Sequence, residues 1–300
     1  MDLFQQDVES FSPGNPTAAS DLYGTGIRYG IYFQASGMLL SLAGGNTSSI
    51  KLTSAGLMLA ILGSWTLLVT QAPGAATISR VEAHIVIMLA NTLSWPAMVA
   101  MLWPSAVAGE ALGIFATYIA CLWSSVGRVV FWAVWHRRLP TLGTADIAFS
   151  FRPVPMEGGW FPDFALGFAV FNTTVCLGWT WPWFLVFQAS INQWTGHANN
   201  NDKDSNPFKE LASWTRWIAA VFGVFAMLNF SVLMVSVERT IEYNGLKPMT
   251  DLSQPGQSIP LVIGAITFLD GLLASFALCV NPERRKKWKR EWRSFGSTRD

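Results

Sequence analysis

Residues 259–280 read IPLVIGAITFLDGLLASFALCV, and this stretch is long and apolar enough to cross a lipid bilayer. A membrane-spanning helix needs about 20 predominantly apolar residues. The stretch contains one ionisable side chain, that of Asp270, near its middle. It therefore predicts a transmembrane helix that carries a carboxyl group where polarity is costly.

Six more stretches of this kind precede it along the chain. The predicted spans are Ile27–Gly44, Ser54–Gln71, Val81–Trp103, Ala111–Trp135, Phe164–Phe187, Trp214–Val237 and Ile259–Val280. Lipid offers no partner for unpaired backbone groups, and the spans show no alternating strand pattern, so each is predicted to be a helix. The sequence thus predicts an all-α integral membrane bundle of about seven transmembrane helices.

The composition favours the same class. Of the 300 residues, 51% are hydrophobic and 13% are charged, whereas a soluble domain carries about 25% charged residues. The net charge of +1 gives no signal for nucleic-acid binding, so the expected partner is the lipid bilayer. We expect a mobile polar N-terminal tail over residues 1–22, a transmembrane domain over residues 23–280 and a basic tail over residues 281–300.

The basic residues predict the orientation of the bundle. Residues 281–300 hold eight Lys and Arg residues and residues 1–27 hold none, so the C-terminal tail is expected in the cytosol. Seven spans then place the N-terminus on the lumenal or extracellular side, in the endoplasmic reticulum or another endomembrane. The cluster His136-Arg137-Arg138 would face outside and opposes this orientation. Asn46-Thr47-Ser48 is a glycosylation sequon that would be cytosolic, so a glycan on Asn46 would reverse the assignment.

Two connections are longer than ordinary loops. Residues 136–162 contain several prolines and the pair Gly158-Gly159, and residues 190–212 contain the polar run His197–Ser205. Loops of this length are expected to be either mobile or functional lids. The three cysteines, Cys121, Cys176 and Cys279, all fall inside spans, so they predict neither a disulfide framework nor a metal site.

Span alternation brings ionisable residues to one side of the membrane. The residues expected at the N-terminal side are Arg28, Glu82, His84, Arg128, Asp163, Glu238, Arg239 and Glu242. Intramembrane charges face the bundle interior or an aqueous cavity. We therefore expect a polar chamber with Asp270 as its floor, bordered by Arg28, Arg128, Glu238 and Glu242. The alternative is that these groups form interhelical ion pairs or lie in the headgroup layer.

The first span begins with GTGIRYGIYFQ, residues 24–34. The glycines that share one helix face, and would let another helix approach closely, are Gly26, Gly30 and Gly37. Arg28 and Tyr32 are four residues apart on a neighbouring face, whereas Gln34 lies deeper and needs a partner. Packing is the first role expected of the glycines, and binding is the role expected of the three polar residues.

The end of the sixth helix reads ERTIEYN, residues 238–244. Glu238 and Glu242 lie one turn apart, where two carboxylates repel, so one of them is expected to hold a proton near neutral pH. A general acid needs that property. The alternative is that each glutamate pairs with Arg239, Arg28 or Arg128.

The segments at 24–34 and 238–244 resemble those of a large group of fungal multi-pass membrane proteins. These are similar to the membrane-bound terpene cyclases of ascochlorin- and macrophorin-type meroterpenoid pathways. The resemblance covers two short segments and the helix layout. It implies protonation of a terminal alkene or epoxide on a hydrophobic prenylated aromatic substrate, followed by ring closure through carbocations and proton loss, without a metal or other cofactor.

Under this hypothesis the initiating acid is Asp270, Glu242 or Glu238. The expected substrate-binding residues are Arg28, Gln34, Arg128, Asn244 and Tyr32, of which Arg28 would tune the acid while Gln34 and Asn244 orient polar groups. A seven-helix receptor or sensor fits the same layout. A transporter is less favoured because the charges gather in one leaflet, and a purely structural membrane protein stays open.

Overall fold

A computed structural model describes residues 19–44, 50–75, 78–102, 111–142, 146–178, 180, 184 and 208–286. This part of the chain is mostly helical. Its long helices are α1 (Thr25–Gly44), α2 (Ile50–Ala75), α3 (Arg80–Leu102), α4 (Ala111–Ala133), α5 (Phe161–Gly178), α6 (Phe208–Tyr243) and α7 (Pro255–Val280). Several features predicted from the sequence lie outside the described residues: positions 1–18 of the N-terminal tail, Asn46, the run His197–Ser205 and positions 287–300 of the basic tail.

Five of the described helices are long and apolar enough to cross a membrane by length and composition. The segments are Ser54–Gln71, Leu112–Ala133, Phe161–Gly178, Gly223–Tyr243 and Pro255–Val280. Their outer faces expose large apolar side chains, among them Leu67, Leu112, Leu228 and Leu273. Extensive exposed apolar surface is rare on soluble monomers. The helices are therefore compatible with an integral multi-pass membrane protein.

Helix α3 lies at the centre of the bundle. It packs against α1, α2, α4 and α6, and every residue from Arg80 to Ala97 is buried. Its polar residues Glu82, His84 and Asn91 are therefore enclosed by neighbouring helices. A buried polar group needs a hydrogen-bond partner, so the centre of the bundle is where the polar contacts of this protein concentrate.

Helices α1 and α7 run parallel and touch through their backbones. Gly30 lies against Pro260 and Gly264, and Gly37 lies against Thr267 and Gly271, seven residues further along both helices. A Cβ atom added at Gly37 would lie 2.5 Å from the Thr267 carbonyl oxygen, which no side chain tolerates. Small residues allow this close approach. The packing role predicted for the α1 glycines is thus the role they have in the structure.

A short β-hairpin departs from the all-α prediction. Strands β1 (Ile147–Ser150) and β2 (Arg152–Pro155) pair antiparallel, and the tip residue Phe151 has a φ of 61°. Two prolines in β2 hide the strand pattern because proline lacks the N–H that a sheet requires. The hairpin forms because α6, rather than a third strand, supplies partners to the outer edge of β1.

Helix α6 is longer than the predicted span 214–237 by six residues at each end. Its 36 residues correspond to a length of about 54 Å at 1.5 Å per residue. The hydrocarbon core is about 30 Å thick. Helix α6 is therefore longer than a single crossing requires. Its last residues, 238–243, are polar and helical, and the hairpin packs against this end.

Candidate functional site

The first turn of α1 is held by a side chain from α7. Gln257, which is 1% exposed, accepts hydrogen bonds through Oε1 from the backbone N–H groups of Gly26 (3.1 Å) and Ile27 (3.4 Å). Its Nε2 donates to the carbonyl oxygen of Asp21 at 2.8 Å. The first N–H groups of a helix have no partner within the helix. Gln257 therefore fixes the start of α1, and with it the position of Arg28.

Arg28, Tyr32 and Glu238 form the best-connected polar group of the predicted set. Arg28 Nη1 lies 2.5 Å from Glu238 Oε2, and the Tyr32 hydroxyl donates to Glu238 Oε1 at 2.9 Å. The Arg28 side chain is 7% exposed and that of Glu238 is 39% exposed. The two segments quoted in the sequence analysis thus meet at this carboxylate. Glu238 is engaged by a guanidinium and a phenol, as the ion-pair alternative expected.

Glu242 does not join that group. Its Oε2 lies 2.6 Å from Arg239 Nη1, and both side chains are more than half exposed. An exposed pair three residues apart on a helix stabilises the fold by about 0.5 kcal/mol at most. Glu238 and Glu242 therefore have separate arginine partners, and the expected sharing of a proton between them finds no support in this geometry.

Asn244 holds the hairpin. Its Nδ2 donates to the carbonyl oxygens of Ile147 (2.6 Å) and Thr240 (2.7 Å), and its Oδ1 accepts from the Ile147 N–H at 3.0 Å. Thr240 Oγ1 accepts from the Phe149 N–H at 3.0 Å. The amide of Asn244 thus pairs with β1 as a neighbouring strand would. Its hydrogen bonds go to the protein backbone, so the structure gives it an anchoring position rather than the substrate-binding position expected from the sequence.

Asp270 lies further along the bundle axis than Arg28 and Glu238. Its neighbours Thr267 and Gly271 contact Gly37, nine residues beyond Arg28, which corresponds to roughly 14 Å along the axis. The side chain is partly exposed and makes no hydrogen bond or ion pair with the part of the chain that the structure describes. Among the three predicted acids, Asp270 is the one that no described arginine neutralises.

Gln34 occupies the same side of the α1–α7 contact as Asp270. Phe33 and Phe268 pack at 5.6 Å on one side of that contact. Successive residues of a helix are rotated by about 100° about its axis. Counted from Phe33 on α1 and from Phe268 on α7, this rotation places Gln34 and Asp270 on the opposite side of the contact. Gln34 is fully buried, and neither Oε1 nor Nε2 has a partner among the described residues. The partner that Gln34 was expected to need is therefore not a described protein group.

Arg128 lies in a different part of the bundle, between α3, α4 and α5. With the Asn91 amide oriented so that its oxygen faces the guanidinium, that oxygen accepts from Arg128 Nε at 3.0 Å and from Nη1 at 2.5 Å. The guanidinium carbon lies 5.4 Å from the centre of the Phe168 ring. Helix α3 thus lies between Arg128 and Arg28, and the residues predicted to border one chamber occupy separate places.

The end of the bundle next to the hairpin carries a further buried charged group. Arg80 Nη1 lies 2.6 Å from Glu157 Oε1, and Arg80 Nε lies 3.7 Å from Asp146 Oδ2. Burial raises the pKa of Asp146, while the N–H of Leu142 and the charge of Arg80 act in the opposite direction. Burial, together with the charges of Arg137 and Arg80, lowers the pKa of His136. The long connection 136–162 is therefore an ordered, charged cap over its described length.

Three buried amides were not predicted from the sequence: Gln257, Asn91 and Asn172. Each is a buried amide inside or beside an apolar stretch, and that position was the available signal. Within the described residues, no three His, Cys, Asp or Glu side chains lie close enough together to hold a metal ion. Compared with known proteins, the chain matches no family model, no curated protein and no solved structure.

Proposed function

We propose that this protein is a membrane-embedded terpene cyclase that acts on a prenylated, meroterpenoid-type substrate by protonation. Asp270 is the observation that carries the proposal. It is an acid in the most apolar of the five candidate spans, and it has no partner among the described residues. An ionisable residue inside a membrane span is by default a candidate for function.

The geometry supports one initiating acid over the other two. Glu238 and Glu242 each form an ion pair with an arginine of the protein, so their carboxyl groups are already occupied. Asp270 shares its side of the α1–α7 contact with the buried, unpartnered amide of Gln34. Gln34 is therefore assigned to orient the polar end of the substrate group that Asp270 protonates.

The proposed reaction is an isomerisation that needs no oxidant or reductant. The Asp270 carboxyl group transfers its proton to the less substituted carbon of the terminal alkene, which leaves a tertiary cation, or to an epoxide oxygen, whose C–O bond then opens. The resulting cation is attacked by the next double bond of the chain, which forms a ring carbon–carbon bond. Loss of a proton from the last cation restores an alkene, and the proton returns to the Asp270 carboxylate. Substrate and product therefore have the same mass.

Arg28 receives a positioning role in this proposal. Glu238 balances the charge of Arg28, and Arg28 lies roughly 14 Å from Asp270 along the axis, so it is not assigned to tune that acid directly. The Arg28–Glu238 pair instead ties the start of α1 to the end of α6, and Tyr32 completes the tie. The same contacts keep Gln34, six residues beyond Arg28, at a fixed height in the bundle.

The proposed topology has seven spans, with the N-terminus lumenal and the C-terminus cytosolic in an endomembrane. Consecutive spans cross the membrane in opposite directions, so two parallel spans have an odd number of spans between them. Helices α1 and α7 are parallel, and five spans between them give the proposed seven. Helices α1 and α3 would complete the seven. Protease protection of tags at the two ends of the chain, in sealed vesicles, tests this. A glycan on Asn46, or a protected C-terminal tag, would contradict the orientation.

The cyclase proposal is tested with purified protein and a farnesylated hydroxybenzoate, offered with a terminal alkene or a terminal epoxide. The expected product is an isomer of the substrate, and from the alkene it carries one solvent deuterium in D2O. Replacing a general acid typically lowers turnover by about 10²- to 10⁴-fold, and Asp270→Asn is expected to do so. Asp163→Asn, which changes an exposed acid, is the matched control. A requirement for magnesium, or full turnover in a D270N/E238Q/E242Q variant, would overturn the proposal.

A seven-helix receptor or sensor is the second candidate. The partly exposed Arg28–Glu238 pair favours it, because a ligand that displaced either group would release α1 from α6. A cytosolic protein recovered through residues 281–300, with a yield that changes when Glu238 is replaced by Gln, would support this reading. Product formation by the purified protein without any partner would favour the cyclase.

A further inference from the structure

Arg128 is a partly exposed cation in a candidate membrane span, and it has no carboxylate partner among the described residues. In the part of the chain that the structure describes, no Asp or Glu oxygen lies within 4.0 Å of its guanidinium, and its contacts are the neutral groups of Asn91 and Phe168. A buried charge needs compensation by an opposite charge or by hydrogen bonds. Asn91 supplies one oxygen for a group with five N–H donors.

The Arg128 side chain points toward the middle of the bundle. Ring contacts between His84 and Phe131 and the contact of Cys121 with Ser94 place α3 and α4 antiparallel, with Arg128 near the level of residue 87. The guanidinium nevertheless reaches Asn91, one turn deeper in the bundle. Long cationic side chains normally extend toward the nearer membrane surface. Helical side chains tilt toward the N-terminus of their own helix. The N-terminus of α4 lies at the opposite end of the bundle from Arg128, so this tilt directs the guanidinium toward Asn91.

Helix α5 brings further unused polar atoms to the same place. Phe168 packs on the Arg128 guanidinium, and Asn172 follows one turn later on the same face of α5. Asn172 is 7% exposed, and neither Oδ1 nor Nδ2 has a hydrogen-bond partner among the described groups. Ser124 Oγ, one turn from Arg128 on α4, is also buried without a partner. By helical spacing, Ser124 on α4 and Asn172 on α5 each lie about one turn from the Arg128–Phe168 contact.

We propose that these residues form a binding site for the carboxylate head of an amphipathic molecule. The Arg128 guanidinium, the Asn172 amide and the Ser124 hydroxyl carry N–H and O–H donors, and a carboxylate accepts through two oxygens. One guanidinium balances one negative charge, which suits a monoanion better than a phosphate dianion. Phe168 and the surrounding apolar helices accommodate a hydrocarbon tail. The site lies across α3 from Arg28, and it stands whether or not Asp270 performs the proposed cyclisation.

Binding to the full-length protein in a neutral detergent tests the proposal, with dissociation constants measured by calorimetry. Palmitate and a farnesylated benzoate carry the same head on a fatty-acid and on a substrate-like tail, and tighter binding of one identifies the source of the ligand. At least one of them is expected to bind, and acetate, which lacks a tail, is expected to bind weakly or not at all. Phosphatidic acid that binds more tightly than both carboxylates would overturn the assignment.

The variants separate binding from folding. A hydrogen bond to a charged group is typically worth about 1.5–3 kcal/mol, so Arg128→Gln is expected to weaken carboxylate binding about 10- to 100-fold. Arg128→Lys keeps the charge but loses the planar donors, and Asn172→Leu removes the amide, so both are expected to weaken it less. Arg138→Gln removes an exposed arginine near the same end of α4 and is expected to bind as the wild type does.

The unfolding midpoint without ligand supplies a second readout. Because Arg128 has no carboxylate partner, Arg128→Gln is expected to leave that midpoint unchanged or to raise it. The stabilisation by palmitate or the farnesylated benzoate should disappear in this variant. If R128Q unfolds at a lower temperature and still binds the carboxylate as the wild type does, Arg128 is a structural residue and the proposal is wrong.

Discussion

Arg28 on α1 and Glu238 on α6, 210 residues apart in the chain, form an ion pair with 2.5 Å between Nη1 and Oε2. The arginine is buried and the glutamate is partly exposed. Tyr32, one turn beyond Arg28, donates to the other oxygen of the same carboxylate. This contact joins the first and the sixth helices, and it explains why polar side chains are present near the ends of two apolar stretches.

The first prediction concerns the strength of that pair. A double-mutant cycle of Arg28→Gln and Glu238→Gln is expected to give a coupling free energy of about 1–2 kcal/mol, reduced from that of a fully buried pair by the exposure of Glu238. The same cycle on the exposed pair Arg239–Glu242 should give about 0.5 kcal/mol or less. Thermal unfolding in detergent measures both. Equal coupling in the two cycles would contradict the burial argument.

The second prediction concerns the backbone contact of α1 with α7. Gly30→Ala or Gly264→Ala places a methyl group against the partner backbone and should destabilise the protein by about 2–3 kcal/mol. Gly63→Ala on α2 is the matched control, because nothing lies within 4 Å of its added Cβ. Helix propensity predicts that this control is neutral or stabilising by up to about 1 kcal/mol. Similar losses in all three variants would show that the close approach is not the cause.

The third prediction concerns the hairpin anchor. Asn244→Ala removes both hydrogen bonds to Ile147, and opening of the hairpin should become easier by about 1–2 kcal/mol. The Ile147 amide is then expected to exchange with solvent about 5- to 30-fold faster. Hydrogen exchange followed by mass spectrometry measures this, with the exposed Lys247→Ala as the control. Unchanged exchange in N244A would mean that Thr240 and β2 hold the hairpin alone.

The fourth prediction concerns His136. Its pKa in the folded protein lies below the ordinary 6.5, because burial and two arginines disfavour the charged ring. The unfolded chain therefore binds more protons, and the free energy of unfolding should fall as the pH falls below 6.5. His136→Gln removes the titrating group and should flatten this decline in a series of unfolding curves. A steeper decline in H136Q would contradict the assigned direction.

The fifth prediction concerns Asp146, which acts with the opposite sign. Its pKa in the folded protein lies above the ordinary 3.8, chiefly because of burial. Ionisation thus opposes folding, and this contribution to stability is present below pH 3.8 and is lost as the pH rises through the raised value. Asp146→Asn keeps an acceptor for the Leu142 N–H. The free energy of unfolding of the wild type, relative to that of this variant, should therefore decrease as the pH rises from 3.8 through the raised pKa. A constant difference between the two proteins would show that Asp146 does not titrate there.

Much of the helical layout could be predicted from the sequence, because lipid-compatible helices need long apolar stretches. The ends of the helices were less predictable. The polar segment 238–243 was expected at the end of the sixth helix and is helical, but its contacts with Arg28, Tyr32 and the hairpin could not be predicted. The hairpin was missed because its partner on the outer edge is a helix rather than a strand.

The candidate site was predictable in its residues but not in its pairing. Glu238, Arg28 and Tyr32 were all recognised from their positions in apolar stretches, whereas Asn91 and Asn172 were not. Helical spacing shows which residues of one helix share a face. It does not show which other helix lies against that face, so one chamber was expected where the structure has separate groups.

The sequence by itself determined the apolar helices, the glycine face of α1 and a short set of polar residues whose position is costly. These follow from local pattern, because each helix satisfies its own backbone within one segment. Only the tertiary structure decided that Glu238 belongs to Arg28, that Asn244 belongs to the hairpin and that Asp270 and Arg128 have no ionic partner among the described residues. These contacts join helices far apart in the chain, and only packing of the bundle brings such residues together.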